Sequence, residues 1–272
     1  MDVPADRKSR LSGPISLRSP HWRPDIRRLS CVIVLMAMHH AIVRELCEGV
    51  SAVIFDFFGT LTPSIPAEVW LDHARKVATV MGVDGHALQC AFDESFPERA
   101  VGAMGDLSQT LHTLADRLGA QLTGKRLEAA CQTRRELQRE LFALRGDALS
   151  VLECLRMHGL KIGVLSDCSC ELPETWPELP LATIVDVAVF SCIAGMRKPD
   201  PRLFRLAADE LGVAPSRCLY VGDGGGRELS GARAAGMRSV LLAGDDWHIN
   251  AVYDREQGWD GPRIRSLSAL CR

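Results

Sequence analysis

Six side chains in this sequence could together move a phosphoryl group: Asp56, Thr60, Ser166, Lys198, Asp223 and Glu228. A carboxylate can attack phosphorus only if its own charge and that of the phosphate are both compensated, and a magnesium ion held between two acids does this. Asp56 and Asp223 are the candidate acids, with Asp56 also the nucleophile. A lysine adds fixed positive charge against the phosphoryl oxygens, while hydroxyls placed after strands supply hydrogen bonds. Lys198, Ser166 and Thr60 fit those roles. Each residue also has a structural alternative. Asp56 could cap a loop, Lys198 and Asp223 could form an ion pair, Thr60 and Ser166 could bind local turns, and Glu228 could simply favour a helix N-terminus.

The elements that must position these groups can be read from hydrophobic runs. The apolar stretch 52–55 ends at Asp56 and is followed by Gly59 and Thr60, the pattern of a buried parallel strand and a tight loop. Strands are expected over 161–165, ending at Ser166; over 185–190, leading to the loop that carries Lys198; over 218–222, ending at Asp223; and over 239–242. Helices over 148–158, 202–211 and 228–235 separate them, and strands alternating with helices imply a doubly wound, Rossmann-like parallel sheet. Ligands of such sheets bind outside the C-terminal strand ends, where these residues fall. Residues 64–145 recur instead at helical spacing, as in Val69, Trp70, His73 and Val77 or Leu107, Leu111, Leu114 and Leu118. The expected organisation is an α/β core from 50–63 and 146–246, an inserted small α-helical cap at 64–145, and a less regular C-terminal segment at 247–272.

The motifs resemble those of the haloacid dehalogenase superfamily. Asp56-Phe57-Phe58-Gly59-Thr60 is similar to its first motif, Ser166 after an apolar strand to its second, Lys198 in Arg197-Lys198-Pro199-Asp200-Pro201 to its third, and Gly222-Asp223 to its fourth. The resemblance implies a magnesium-dependent phosphatase acting through an aspartyl-phosphate on Asp56, with the metal held by Asp56, the Phe58 carbonyl, Asp223 and Glu228. It also implies a helical cap after the first motif. One departure matters: phosphatases of the family usually place a second aspartate, the general acid and base, where this chain has Phe58. Dehalogenating members also lack that acid, but their fourth motif lacks the Gly-Asp pattern kept here. A 2-haloacid dehalogenase and a non-catalytic module binding a phosphorylated ligand are therefore the alternatives to the phosphatase.

The chain has 272 residues, a net charge of -2 and 47% hydrophobic residues, which describes an ordinary globular protein with no basic excess to attract nucleic acid or membrane. A small phosphorylated metabolite is the expected partner, in the cytoplasm, and oligomeric state is not legible. Ten cysteines lie without paired spacing, several in apolar runs such as Cys154 and Cys192, so reduced thiols are expected. The isolated Cys168 and Cys170 pair does not make a zinc site. The histidines His39, His40, His73 and His158 share no metal-binding spacing and read as surface or helix-face residues, and the arginine-rich helix 126–139 reads as a solvated face. Residues 1–49, rich in Arg, Pro and Ser at their start, read as a disordered or misassigned extension. The apolar run 31–38 within it imitates a signal peptide but is short for a span, a weak signal or anchor being the alternative, and Met36 or Met38 could be the initiator.

Overall fold

A computed structural model of the protein describes residues 48–249, 255–256 and 258–271. The expectations for residues 1–47 lie outside the described residues. The sheet has six parallel strands in the order β3-β2-β1-β4-β5-β6: β1 Ala52–Phe55, β2 Lys161–Ser166, β3 Val187–Phe190, β4 Cys218–Gly222, β5 Arg238–Leu242 and β6 Arg263–Ile264. It is the doubly wound, Rossmann-like sheet that the alternation implied.

The strands read as unbroken apolar runs because both faces are covered, and their pleat sends alternate residues to two different cores. Val53, Phe55, Ile162, Val164, Leu219, Val221, Val240 and Leu242 enter one core, while Ala52, Ile54, Leu165, Cys218, Tyr220 and Leu241 enter the other. β1, buried throughout, lies between β2 and β4, so the loop after it emerges at the middle of the sheet's C-terminal edge.

Four helices fill the segment after that loop: α1 Ala67–Met81, α2 Gly85–Arg99, α3 Leu107–Arg117 and α4 Gly124–Leu141. Their caps are written in the sequence. Asp84 accepts from the Ala87 N–H at 2.8 Å, and Asp106 and Gln109 form a reciprocal capping box. The apolar faces, including Val77, Met81, Leu88, Leu107, Leu111 and Leu114, close into a core of their own. The chain then returns through α5 Ala148–Met157, α6 Glu171–Thr175 after β2, α7 Ser191–Ala194 after β3, α8 Pro201–Leu211 before β4 and α9 Glu228–Ala234 before β5.

The segment from Trp247 onward, expected to be less regular, adds to the sheet: β6 pairs in parallel with β5, and a closing turn of helix at Leu267–Cys271 packs its apolar side chains into the β-sheet core. His73, expected on a surface or a helix face, lies on the buried face of α1 with its Nε2 3.7 Å from Glu140. Two expectations are corrected. Cys154 is not a free thiol but is joined to Cys271 by a disulfide, 117 residues apart in the chain. The arginine-rich helix α4 is not wholly solvated, because Arg134 is buried against Glu171 of α6 at 3.1 Å. Among the described residues no helix is long and apolar enough to cross a membrane.

Candidate active site

The loops at the C-terminal ends of β1, β2 and β4, with the one following α7, converge on a buried cluster of charge. Lys198 sits at its centre, with Nζ donating to Asp56 Oδ1 at 2.6 Å, to Glu228 Oε2 at 2.6 Å and to the Tyr220 hydroxyl at 3.2 Å. The Tyr220 hydroxyl in turn donates to Glu228 Oε2 at 2.7 Å, and the Gly224 N–H donates to Glu228 Oε1 at 2.9 Å. One carboxylate oxygen each from Asp56, Asp223 and Glu228 lies within 4.8 Å of the others. The sequence places these groups together through local geometry. Gly222 is needed because a Cβ there would occupy the space of the Glu228 carboxylate, and Gly224 adopts φ +88°, a region in which other residues are strained.

The loop after Asp56 is clamped from outside. Arg145 donates to the carbonyls of Gly59 at 2.8 Å and Thr60 at 3.0 Å while pairing with Asp246, which also accepts from the Ser64 N–H at 2.7 Å. The Phe58 ring packs edge-on to Phe57 at 5.0 Å and against Phe142 at 6.0 Å, so its side chain serves packing and carries no proton. The hydroxyls of Thr60 and Ser166 are fully buried without a hydrogen-bond partner among the described residues. A buried hydroxyl normally finds a partner, so two orphans beside one carboxylate cluster fit a polar ligand.

Electrostatics set the character of the cluster. Burial lifts Asp56 to about 6 against the pull of Lys198 and with a push from Asp223. Burial, then the Asp56 charge, lifts Glu228 to about 8. Burial works against the Lys198 ammonium, yet Asp56, Glu228, Tyr220 and Asp167 together outweigh it and hold its pKa well above the usual range. Lys198 serves Asp56 and Glu228, and Arg255 lies 3.8 Å from Asp223, so two cations are set against three carboxylates, and an all-oxygen set short of positive charge is the donor set that suits magnesium.

The structure brings Asp56, Lys198, Asp223 and Glu228 together, with Phe58 and Thr60 on the loop after Asp56 and Ser166 at the end of the adjacent strand β2. Several groups in the same place carried no sequence signal. Tyr220 looked like one more apolar strand residue, Arg145 and Asp246 are far apart in the chain, and the Trp247 indole N–H donates to the Asp223 carbonyl at 2.8 Å from a segment that read as irregular. Asp167, next to Ser166, reads from the sequence equally as a group facing the site or as a cap of the following loop; it accepts the Lys198 backbone N–H at 3.0 Å.

Between these loops and helices α1, α2 and α4 lies a cavity of about 280 Å³. Phe58, Gly59, Trp70 and Phe92 are among the residues that line it, and Arg134 and Asp167 are among its polar groups.

A parallel sheet with four motif loops at its C-terminal edge defines a hydrolase of the haloacid dehalogenase type, and sequence comparison agrees. The profile of haloacid dehalogenase-like hydrolases matches residues 50–236, and this chain belongs to that family. It is 32% identical to a phosphatase of Mycobacterium tuberculosis over 71% of this chain and 88% of that protein. It is 29% identical to the glyceraldehyde 3-phosphate phosphatase of Methanopyrus kandleri over 71% and 84%. A Bacteroides thetaiotaomicron enzyme of the family, solved with magnesium and inorganic phosphate, shares the fold with a TM-score of 0.56 at 13% identity, covering 71% of this chain and 94% of that one.

Proposed function

We propose that this hydrolase is a magnesium-dependent phosphatase of a small phosphorylated metabolite, with Asp56 as the nucleophile. The observation that carries the reading is the Lys198 ammonium 2.6 Å from Asp56 Oδ1 inside a buried cluster with a surplus of carboxylates. Asp56 and Asp223, with the Phe58 carbonyl, would hold the metal, whose bound charge compensates nucleophile and phosphate together. Glu228, whose two oxygens serve Lys198, Tyr220 and the Gly224 N–H, would reach the metal less directly and hold the lysine in place. Lys198, with the Ser166 and Thr60 hydroxyls, would bind the phosphoryl oxygens while Asp56 attacks in line and the ester oxygen departs. Water would then free Asp56 and release phosphate.

The helical insert acts in this reading as a cap: it supplies Trp70, Phe92 and Arg134 to the cavity, and so would select the substrate and exclude water during transfer. The phosphatase relatives support the reaction class, and the carboxylate surplus supports metal use over metal-free dehalogenation. Six unpaired cysteines among the described residues support a reducing, cytoplasmic setting, against the single disulfide. The test is phosphate release from a panel of phosphomonoesters with and without magnesium, alongside Asp56→Asn. Magnesium-dependent release should fall below detection in the variant; unchanged release would sink the assignment of Asp56.

A further inference from the structure

A phosphatase of this kind needs a group to protonate the departing oxygen and then to take a proton from the attacking water. Phe58 cannot do either. The cavity offers few replacements. Glu171 is held at about 2, because Arg134 and Arg99 with local hydrogen bonds outweigh its burial, so it stays ionised and has no proton to give. Asp93 also lines the cavity but is solvent-exposed and sits on α2 of the insert rather than on a strand-end loop.

Asp167 is differently placed. It directly follows Ser166 at the end of β2, the neighbour of β1, and lines the same cavity as Phe58 and Gly59 of the loop that follows Asp56. Its Oδ1 is anchored by the Lys198 backbone N–H at 3.0 Å, and the same residue's ammonium holds Asp56. Its Oδ2 lies 3.9 Å from Arg197 Nε and 4.0 Å from where a Cβ on Gly226 would sit. The side chain is 14% exposed, buried enough to be fixed and open enough to meet a ligand.

Resting on the phosphatase reading, we propose that Asp167 takes the place of the missing acid and base at position 58. Its carboxyl proton passes to the ester oxygen as the phosphorus–oxygen bond breaks and Asp56 becomes phosphorylated, releasing an alcohol. The resulting Asp167 carboxylate then accepts a proton from the water that attacks the aspartyl-phosphate, so that Asp56 is freed, phosphate leaves and Asp167 is again protonated. Burial supports the role by raising the Asp167 carboxyl above its ordinary value, against the opposing pull of Lys198 and Arg197.

The experiment measures kcat/KM with magnesium for aryl and alkyl phosphomonoesters spanning a wide range of leaving-group acidity, in wild type, Asp56→Asn and Asp167→Asn. Asn at 167 can still accept the Lys198 N–H but cannot transfer a proton. Release by wild type that Asp56→Asn abolishes establishes the phosphatase reading independently of residue 167. The proposal then expects a shallow dependence on leaving group in wild type, and in Asp167→Asn a loss of about 10²–10⁴-fold on alkyl phosphates with less than about tenfold on p-nitrophenyl phosphate. Equal losses on both classes would reduce Asp167 to a positioning residue for Lys198 and overturn the proposal. Should Asp167→Asn fail to fold, the wild-type series decides alone: a steep dependence on leaving-group acidity means no proton is delivered, and overturns it equally.

Discussion

Two buried charge clusters in this molecule contain the same kinds of group and shift in opposite directions. At the sheet edge, Lys198 and Arg255 are set against Asp56, Asp223 and Glu228, and burial carries Asp56 up to about 6 and Glu228 to about 8. Where the helical insert meets α6, Glu171 pairs with Arg134 at 3.1 Å and lies in the field of Arg99, and the same burial is overruled, leaving its carboxyl at about 2. The difference is stoichiometric: cations are outnumbered in the first cluster and in excess in the second. The second is electrostatically complete and ties the insert to the sheet. The first is left short of positive charge, so a divalent cation gains there and gains nothing at the other.

The largest effect expected from this contrast is at Lys198. Replacing it with Met removes the positive charge nearest the nucleophile, and kcat should fall by about 10²–10³-fold, the usual cost of losing a preorganised charge on transferring oxygens. Folding should suffer less than activity, because Glu228 can take up a proton rather than stay charged and unpaired. Thermal melting and phosphate release on one preparation separate the two. A variant whose melting temperature collapses while its folded fraction keeps the wild-type kcat would assign Lys198 to the scaffold.

Glu171→Gln should do the reverse, costing about 3–5 kcal/mol in urea denaturation by leaving Arg134 buried without its partner, while Glu228→Gln should cost far less because it relieves an acid surplus. Equal costs at the two positions would break the comparison. The pH dependence follows from the same pair. The Glu171 carboxyl is depressed from 4.5 to about 2, so its stabilising contribution is complete above about 4.5 and is lost as pH falls from there towards 2. Glu171→Gln should flatten the stability curve over that window, and an unchanged acid slope would show that Glu171 is not the group responsible.

How much of this was legible in the sequence depends on whether the signal was local. β1, β2, β4 and β5 announced themselves as apolar runs because both sheet faces bury them, and Asp56, Ser166 and Asp223 stood where such runs ended, with Thr60, Lys198 and Glu228 further along the loops. β6 has only Arg263 and Ile264 and owes its pairing to β5, so no local pattern could mark it. Arg134 sits among exposed arginines and glutamates in α4 and is distinguished only by Glu171, 37 residues further on. The clamp of Arg145 on Gly59 and Thr60 spans 85 residues or more, beyond any spacing argument. Tyr220 was hidden differently, since an aromatic residue in a buried strand normally contributes only area.

Tyr220 also gives the smallest and most discriminating test of the sheet-edge cluster. Its ring packs edge-on against Phe204 with centroids 5.2 Å apart, a contact that Tyr220→Phe keeps, and only the hydroxyl bridging Lys198 and Glu228 is lost. Lys198 retains both carboxylates and Glu228 retains the lysine and the Gly224 N–H, so no charge is stranded. The expected cost is about 1 kcal/mol of stability, the net worth of an ordinary buried hydrogen bond, with kcat reduced less than about tenfold. If kcat instead falls a hundredfold while stability holds, the lysine depends on the hydroxyl for its aim at Asp56, and Tyr220 belongs with Glu228 among the groups that position it.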